Sequence, residues 1–178
     1  MSLYELRVQL KDIQPPVWRD VRVPRDMTLD RLHEVLQMAM GWTNTHLYLF
    51  HAGGTDYGEP DEEWPKVQDS ARITLEDIVT TAGPSFEYVY DMGDDWVHQL
   101  TVSGPVDAGG EDAVQCTGGA GACPPEDSGG PWRYQEILEA ISDPKHEDHD
   151  MLLDWIGEDF DPEAFDVRDM NEALRSLA

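Results

Sequence analysis

The sequence predicts an α+β protein: a β-hairpin–helix–strand unit of β-grasp-like order, a second hairpin that completes the sheet, and C-terminal helices packed on it. Two observations carry this. Apolar residues alternate with a period of two in most segments of the first 106 positions, whereas from Trp132 onward they recur at helical spacing. Between these regimes, residues 107–131 hold seven Gly and three Pro, which reads as one long loop. Strands first and helices last is the α+β arrangement. A length of 178 residues fits a single domain over 1–178. Its expected parts are a sheet with one long helix over 1–106, the Gly/Pro loop over 107–131 and acidic helices over 132–178.

The elements follow in order. Tyr4, Leu6, Val8 and Leu10 alternate with polar neighbours as a half-buried strand, and Asp12–Pro16 supplies a turn into a second strand over Val17–Val23. Thr28 is an N-cap candidate for a helix whose apolar stripe is Leu29, Leu32, Leu36 and Met40, stopped by Gly41; His33 falls at the boundary of that stripe. His46–Ala52 reads as a third strand and Thr74–Thr80 as a short helix. Phe86, Tyr88 and Tyr90 alternate up one strand, and Trp96, His98, Leu100 and Val102 down the next. Asp91–Asp95 is the turn, with Gly93 as the residue for a positive φ, and Gly104-Pro105 is the expected end of the hairpin. The helical stripes are Tyr134/Ile137/Leu138/Ile141, then Met151/Leu152/Trp155/Ile156, then Val167/Met170/Leu174/Leu177, with Asp161-Pro162 as the expected start of the last helix.

Charge narrows the partners. Twelve basic against 37 acidic residues give a net charge of −25. Only three of the basic residues are Lys, and none of the twelve lies between Arg72 and Arg133. Such a field repels phosphate backbones and anionic lipids, so no duplex DNA binding is expected and a basic protein is the partner class that fits. Solubility or adaptation to a salty cytoplasm explains the same acidity. No apolar run is long enough to span a membrane, and the start lacks a signal-peptide pattern. With two cysteines and no disulfide framework, the cytoplasm is the expected location.

Three groups of residues could carry chemistry. Asp91, Asp94, Asp95 and His98 surround one hairpin turn, and Glu126 and Asp127 end the Gly/Pro loop. Oxygen and imidazole donors this close suit Mg²⁺ or Mn²⁺, or an acid–base pair. Turn capping, with the carboxylates accepting backbone N–H bonds, is the structural alternative. Cys116 and Cys123 supply half a tetrahedral Zn²⁺ site, with His98 or the His146/His149 pair to complete it; two free buried thiols or a disulfide read the same spacing. Trp18, Arg19, Trp42, His46 and Trp96 are candidate binding residues at the edge of the core. No cofactor is required by any signature: G-x-S-x-G, the phosphate-loop pattern and GxGxxG are all absent.

Taken in order, PPVWRDVRVP, LDRLHEVLQMAMGW followed by HLYLF, YVYDMGDDWVHQL, CPPEDSGG and DPEAFD resemble the plasmid pRiA4b open-reading-frame-three-like family over nearly the whole chain. YDMGDDWVH and CPPEDSGG are its most specific segments. The resemblance implies a single α+β domain of the bacterial or archaeal cytoplasm. Some relatives carry the label of mobile-element passenger or putative resolvase, but this chain has no basic DNA-binding region and no nucleophilic Ser in an Arg-rich setting. The leading expectation is a non-enzymatic binding or interaction module, in one form a mobile-element accessory factor. The alternative is a metal-assisted hydrolase or nuclease-like enzyme. In either case the expected site is where the Asp91–His98 hairpin meets the 116–130 loop.

Overall fold

The computed structural model describes residues 2–107 and 114–177. It is of mixed α+β class, with eight strands in one sheet and five α-helices. The strands are β1 (Ser2–Leu10), β2 (Trp18–Pro24), β3 (Tyr48–Ala52), β4 (Thr55–Gly58), β5 (Gln68–Asp69), β6 (Ser85–Tyr90), β7 (Trp96–Asp107) and β8 (Gln115–Ala120). The helices are α1 (Leu29–Met40), α2 (Leu75–Ala82), α3 (Gly130–Ser142), α4 (His149–Ile156) and α5 (Val167–Leu174). Across the sheet the order is β5-β4-β3-β6-β7-β1-β2-β8. Hairpin, helix and strand do follow one another along the chain, but β6 and β7 lie between β1 and β3.

Alternation decides which face of each strand is buried. Leu6, Val8 and Leu10 of β1, Val21 and Val23 of β2, and Phe86, Tyr88 and Tyr90 of β6 all point into one core. The α1 stripe closes over it: Leu29, Leu32 and Leu36 are fully buried and Met40 is 1% exposed. α1 stops at Gly41, whose φ of 104° permits the left-handed cap that returns its N–H to the carbonyl of Gln37. α2 begins with a capping box in which Thr74 and Asp77 satisfy each other's backbone N–H groups. α5 lies against β8 and α1, while α3 and α4 share a small cluster of Ile137, Ala140 and Leu152. Among the described residues no helix is long and apolar enough to cross a membrane.

Four local expectations are corrected. Residues 107–131 are not one loop: β8 pairs antiparallel with β2 from Trp18↔Ala120 to Arg22↔Gln115. Its glycines make room for aromatic rings. A Cβ on Gly119 would stand 2.6 Å from the Phe165 ring, and one on Gly118 would stand 3.6 Å from the Trp18 ring. Gly119→Ala is therefore expected to cost about 1–3 kcal/mol, the usual penalty of overpacking, in urea unfolding. Strand β7 does not end at Gly104-Pro105 but continues to Asp107, opposite Ser2. The last helix starts from Asp166, whose side chain accepts from the N–H groups of Arg168 and Asp169, whereas Asp161-Pro162 forms only a turn. In the second hairpin the left-handed residues are Asp91 and Asp95, at φ 59° and 58°, rather than Gly93.

Arg19 staples the edge of the sheet. It is 2% exposed, and its hydrogen bonds among the described residues all go to backbone carbonyls. Its Nε donates to the Ala39 carbonyl at 2.8 Å, its Nη1 to those of Trp18 and Ala120, and its Nη2 to that of Gly121 at 2.9 Å. The guanidinium also lies 4.5 Å from the centre of the Phe165 ring. Its donors are thus spent inside the fold, tying α1 to the segment that leads into the 121–130 loop.

Candidate metal centre

The centre is assembled by three segments that meet beyond the ends of strands. The first joins α1 to β3. Its turn is held by Gln37, whose Oε1 accepts from the Asn44 N–H, and by Glu126, whose Oε1 accepts from Thr43 N at 2.8 Å and from Thr43 Oγ1. The Tyr90 hydroxyl accepts from Thr45 N and donates to the same Glu126 oxygen at 2.9 Å. These bonds leave His46 just outside β3. The second segment is the β6–β7 turn, where Asp91 Oδ1 accepts from Gly93 N and Asp94 N and Oδ2 faces His46. The third is the 121–130 loop, with Asp127 at φ 58°.

The result is one imidazole facing three carboxylates. His46 Nε2 lies 2.8 Å from Asp127 Oδ1, 3.4 Å from Asp91 Oδ2 and 3.9 Å from Glu126 Oε2. Donor atoms of His46, Asp91 and Asp127 all lie within 4.8 Å of one another. Ligands about 2.1 Å from a divalent cation are separated by roughly 3–3.4 Å, so small side-chain rotations would close this set around an ion. Nitrogen with carboxylate oxygen suits Zn²⁺ or Mn²⁺. Desolvation pulls the His46 pKa down, but the hydrogen bond to Asp127 and the charges of Asp91, Asp127 and Glu126 outweigh it and leave the pKa raised. Glu126 Oε2 is buried and accepts no hydrogen bond among the described residues.

The β6–β7 turn and the 121–130 loop are brought together, as the sequence suggested, although several candidates lie elsewhere. Asp94 joins the two segments structurally: its Oδ2 accepts from Gly129 N at 2.9 Å. At Gly130 (φ 86°) a Cβ would stand 2.5 Å from the Asp94 carbonyl oxygen, so only glycine allows the loop this close. Asp95 is exposed and outside the donor set. His98 is fully buried in the core, where Nδ1–H donates to the Tyr88 carbonyl and Nε2 accepts from Trp42 Nε1 at 3.2 Å. Burial pushes its pKa down to about 4, so it is a neutral core residue with both nitrogens engaged. His46 stands where His98 was expected.

The remaining candidates are also accounted for. Trp42 and Trp96 are buried and pack on each other with ring centres 5.4 Å apart; Trp18 lies under the Arg7 guanidinium at 3.9 Å. Cys116 and Cys123 are free thiols with pKa values raised by burial, and neither belongs to a metal-ligating group among the described residues. His149 faces the Ala140 carbonyl and His146 accepts from Asp148 N, so both are engaged locally. Sequence reasoning missed the pairing of His46 with Asp91. Register explains it: Tyr48 pairs with Tyr90 across β3 and β6, which sets the residues beyond both ends side by side.

The described residues form a mixed α+β fold on one eight-stranded sheet, with a histidine–carboxylate cluster at the mouth of one hairpin. The chain belongs to the plasmid pRiA4b ORF-3-like family, whose model matches residues 2–169. It is 44% identical over 180 residues to "Uncharacterized protein y4hQ" of Sinorhizobium fredii (strain NBRC 101917 / NGR234), covering 99% of this chain and 93% of the relative. It is also similar to the crystal structure of the protein of unknown function MM3350 from Methanosarcina mazei Go1. That match has a TM-score of 0.86 and 34% identity, and it covers 94% of this chain and 97% of the other.

Proposed function

We propose that the protein is a divalent-cation-dependent binding module, with a Mn²⁺ or Zn²⁺ ion held by His46 Nε2, Asp91 Oδ2 and Asp127 Oδ1. The observation that carries this reading is the convergence of three carboxylates on one imidazole from three separate segments. An ordinary ion pair needs one carboxylate. Three held together repel one another unless a cation is shared, and that cation is either the protonated His46 or a metal ion bound by its neutral ring. The acidic surface outside the centre disfavours polyanions and suits a basic protein partner, the form in which a mobile-element accessory role fits this chain.

The test is chelator treatment, reloading with Mn²⁺ or Zn²⁺, and measurement of retained metal and Tm. One ion per chain and a rise in Tm are expected, because a ligand that binds only the folded state stabilises it. Proton and cation compete for His46, so affinity should rise with pH through its raised pKa. In the metal-free protein the sign is opposite. The stabilisation from protonated His46 is fully present below its unfolded value of about 6.5 and is lost as pH rises through the folded value. No retained metal and an unchanged Tm would reject the proposal.

One observation favours a hydrolytic reading in addition. Among the described residues Glu126 Oε2 has no hydrogen-bond donor, and a free carboxylate oxygen beside a cation can act as a general base. Metal-dependent cleavage of bis-p-nitrophenyl phosphate, abolished in Glu126→Gln with metal content unchanged, would support it. The same rate with and without metal would exclude it.

A further inference from the structure

The apolar stripe of α4 is wider than the contact that buries it. Leu152 is 6% exposed, but Met151 is 60% and Trp155 49% exposed. Met151 and Trp155 are four residues apart, so they stand one turn from each other on the same face of the helix. With Leu152, and with Ile137 of α3, they line an open trough of about 420 Å³. Large apolar side chains left together at a surface mark an interaction site.

Charge and backbone chemistry describe the occupant. Asp150 and Asp154 are exposed and precede Met151 and Trp155 by one residue each, so a row of carboxylates runs beside the apolar row. From Asp143 to Asp159 the chain carries seven acids against one Lys, Lys145. Arg133, the cation in the trough lining, is paired with Glu136 at 2.9 Å and offsets none of them. A second copy of the chain would set one acidic row against another, and anionic lipid is repelled as well. An extended peptide laid on this wall would leave its backbone groups facing apolar side chains, whereas a helix bonds its own internally.

We infer that the trough binds a basic amphipathic helix of a partner protein, which rests on the basic-partner reading above and not on the ion. A bulky apolar side chain of the partner enters between Ile137, Leu152 and Trp155, and a second, one turn on, covers Met151. Lys or Arg on the flank of that helix meets Asp150 and Asp154. The apolar row supplies most of the affinity by leaving water, while the acids select a basic partner and speed its approach.

The experiment is a fluorescence-anisotropy titration of the full-length protein into a dansyl-labelled synthetic helix of leucine and lysine in amphipathic order, about five turns long. One saturable site is expected. Affinity should fall at least tenfold in Trp155→Ala, and at least threefold in Met151→Gln and in the double variant Asp150→Asn/Asp154→Asn. Met151 and both acids are exposed, so these last two variants keep the fold. The same helix with glutamate in place of lysine should bind at least tenfold more weakly. Wild-type affinity in Trp155→Ala and Met151→Gln overturns this inference alone, because the helix then sits elsewhere on the acidic surface. Equal binding of the lysine and glutamate helices, or no binding of either at high micromolar concentration, overturns the basic-partner reading with it. A wild-type protein that sediments as a dimer, with the dimer broken by Met151→Gln, places a second copy in the trough and overturns the occupant named here.

Discussion

Acidification from pH 7 to pH 4 is expected to remove about 6 kcal/mol of folding stability, through two buried histidines. His98 is fully buried and His33 is 4% exposed, and burial lowers the pKa of each to about 4. Their hydrogen bonds fit the neutral ring. For His33, Nδ1 accepts from the Tyr88 hydroxyl at 2.7 Å and Nε2–H donates to Asn44 Oδ1 at 2.8 Å. The Tyr88 hydroxyl in turn accepts from Gln37. In the unfolded chain both rings protonate near pH 6.5. A depressed folded pKa means the stabilisation is full above the unfolded value and is lost as pH falls toward the folded one. Each ring contributes about 3 kcal/mol of that loss by pH 4. The sum is comparable with the whole stability of a domain. Urea unfolding at a series of pH values measures it. His98→Asn should be less stable at pH 7 but should lose about 3 kcal/mol less on acidification. A stability independent of pH between 6.5 and 4 would contradict the neutral-core assignment.

Arg19→Met is expected to destabilise the protein by about 3–5 kcal/mol. The substitution keeps apolar bulk over Phe165 but removes the guanidinium donors to the carbonyls of Ala39, Ala120 and Gly121. A buried acceptor left without a donor costs about 1–3 kcal/mol. Arg19→Lys should recover only part of the loss, since one ammonium cannot reproduce a planar fork aimed at several carbonyls. The effect should reach the metal centre as well. Gly121 begins the stretch that carries Glu126 and Asp127, so loosening it should weaken Mn²⁺ binding in the variant that still folds. Stability within about 1 kcal/mol of wild type would show that water satisfies these carbonyls in place of the guanidinium.

The parts of the fold written in local periodicity were legible in the sequence. Strand β1, helix α1 and the β6–β7 hairpin each carry a pattern that needs no distant partner. Strand β8 was not legible, because Gly118 and Gly119 look like loop residues until Trp18 and Phe165 are known to occupy the space above them. The start of α5 was misplaced because Asp161-Pro162 has the composition of an N-cap, while Asp166 makes the capping bonds. At the candidate site, the acids of the hairpin turn and of the 121–130 loop could be singled out by their density. His46 could be singled out as a binding candidate, but not grouped with these acids. Parity correctly put His98 on one strand face with Trp96, but that face is the core, and His46 is delivered by long-range β3–β6 pairing.

The most direct test of the metal centre is Mn²⁺ titration of wild type, His46→Ala, Asp127→Asn and Asp95→Asn, read by loss of the free-ion paramagnetic resonance signal. Asp127 is 73% exposed at its side chain and His46 32%, so these two substitutions should leave the fold intact. The expected result is one saturable site in wild type and in Asp95→Asn, with affinity at least tenfold weaker in His46→Ala and Asp127→Asn. A wild-type protein without a saturable site, or four proteins that bind Mn²⁺ alike, would contradict it.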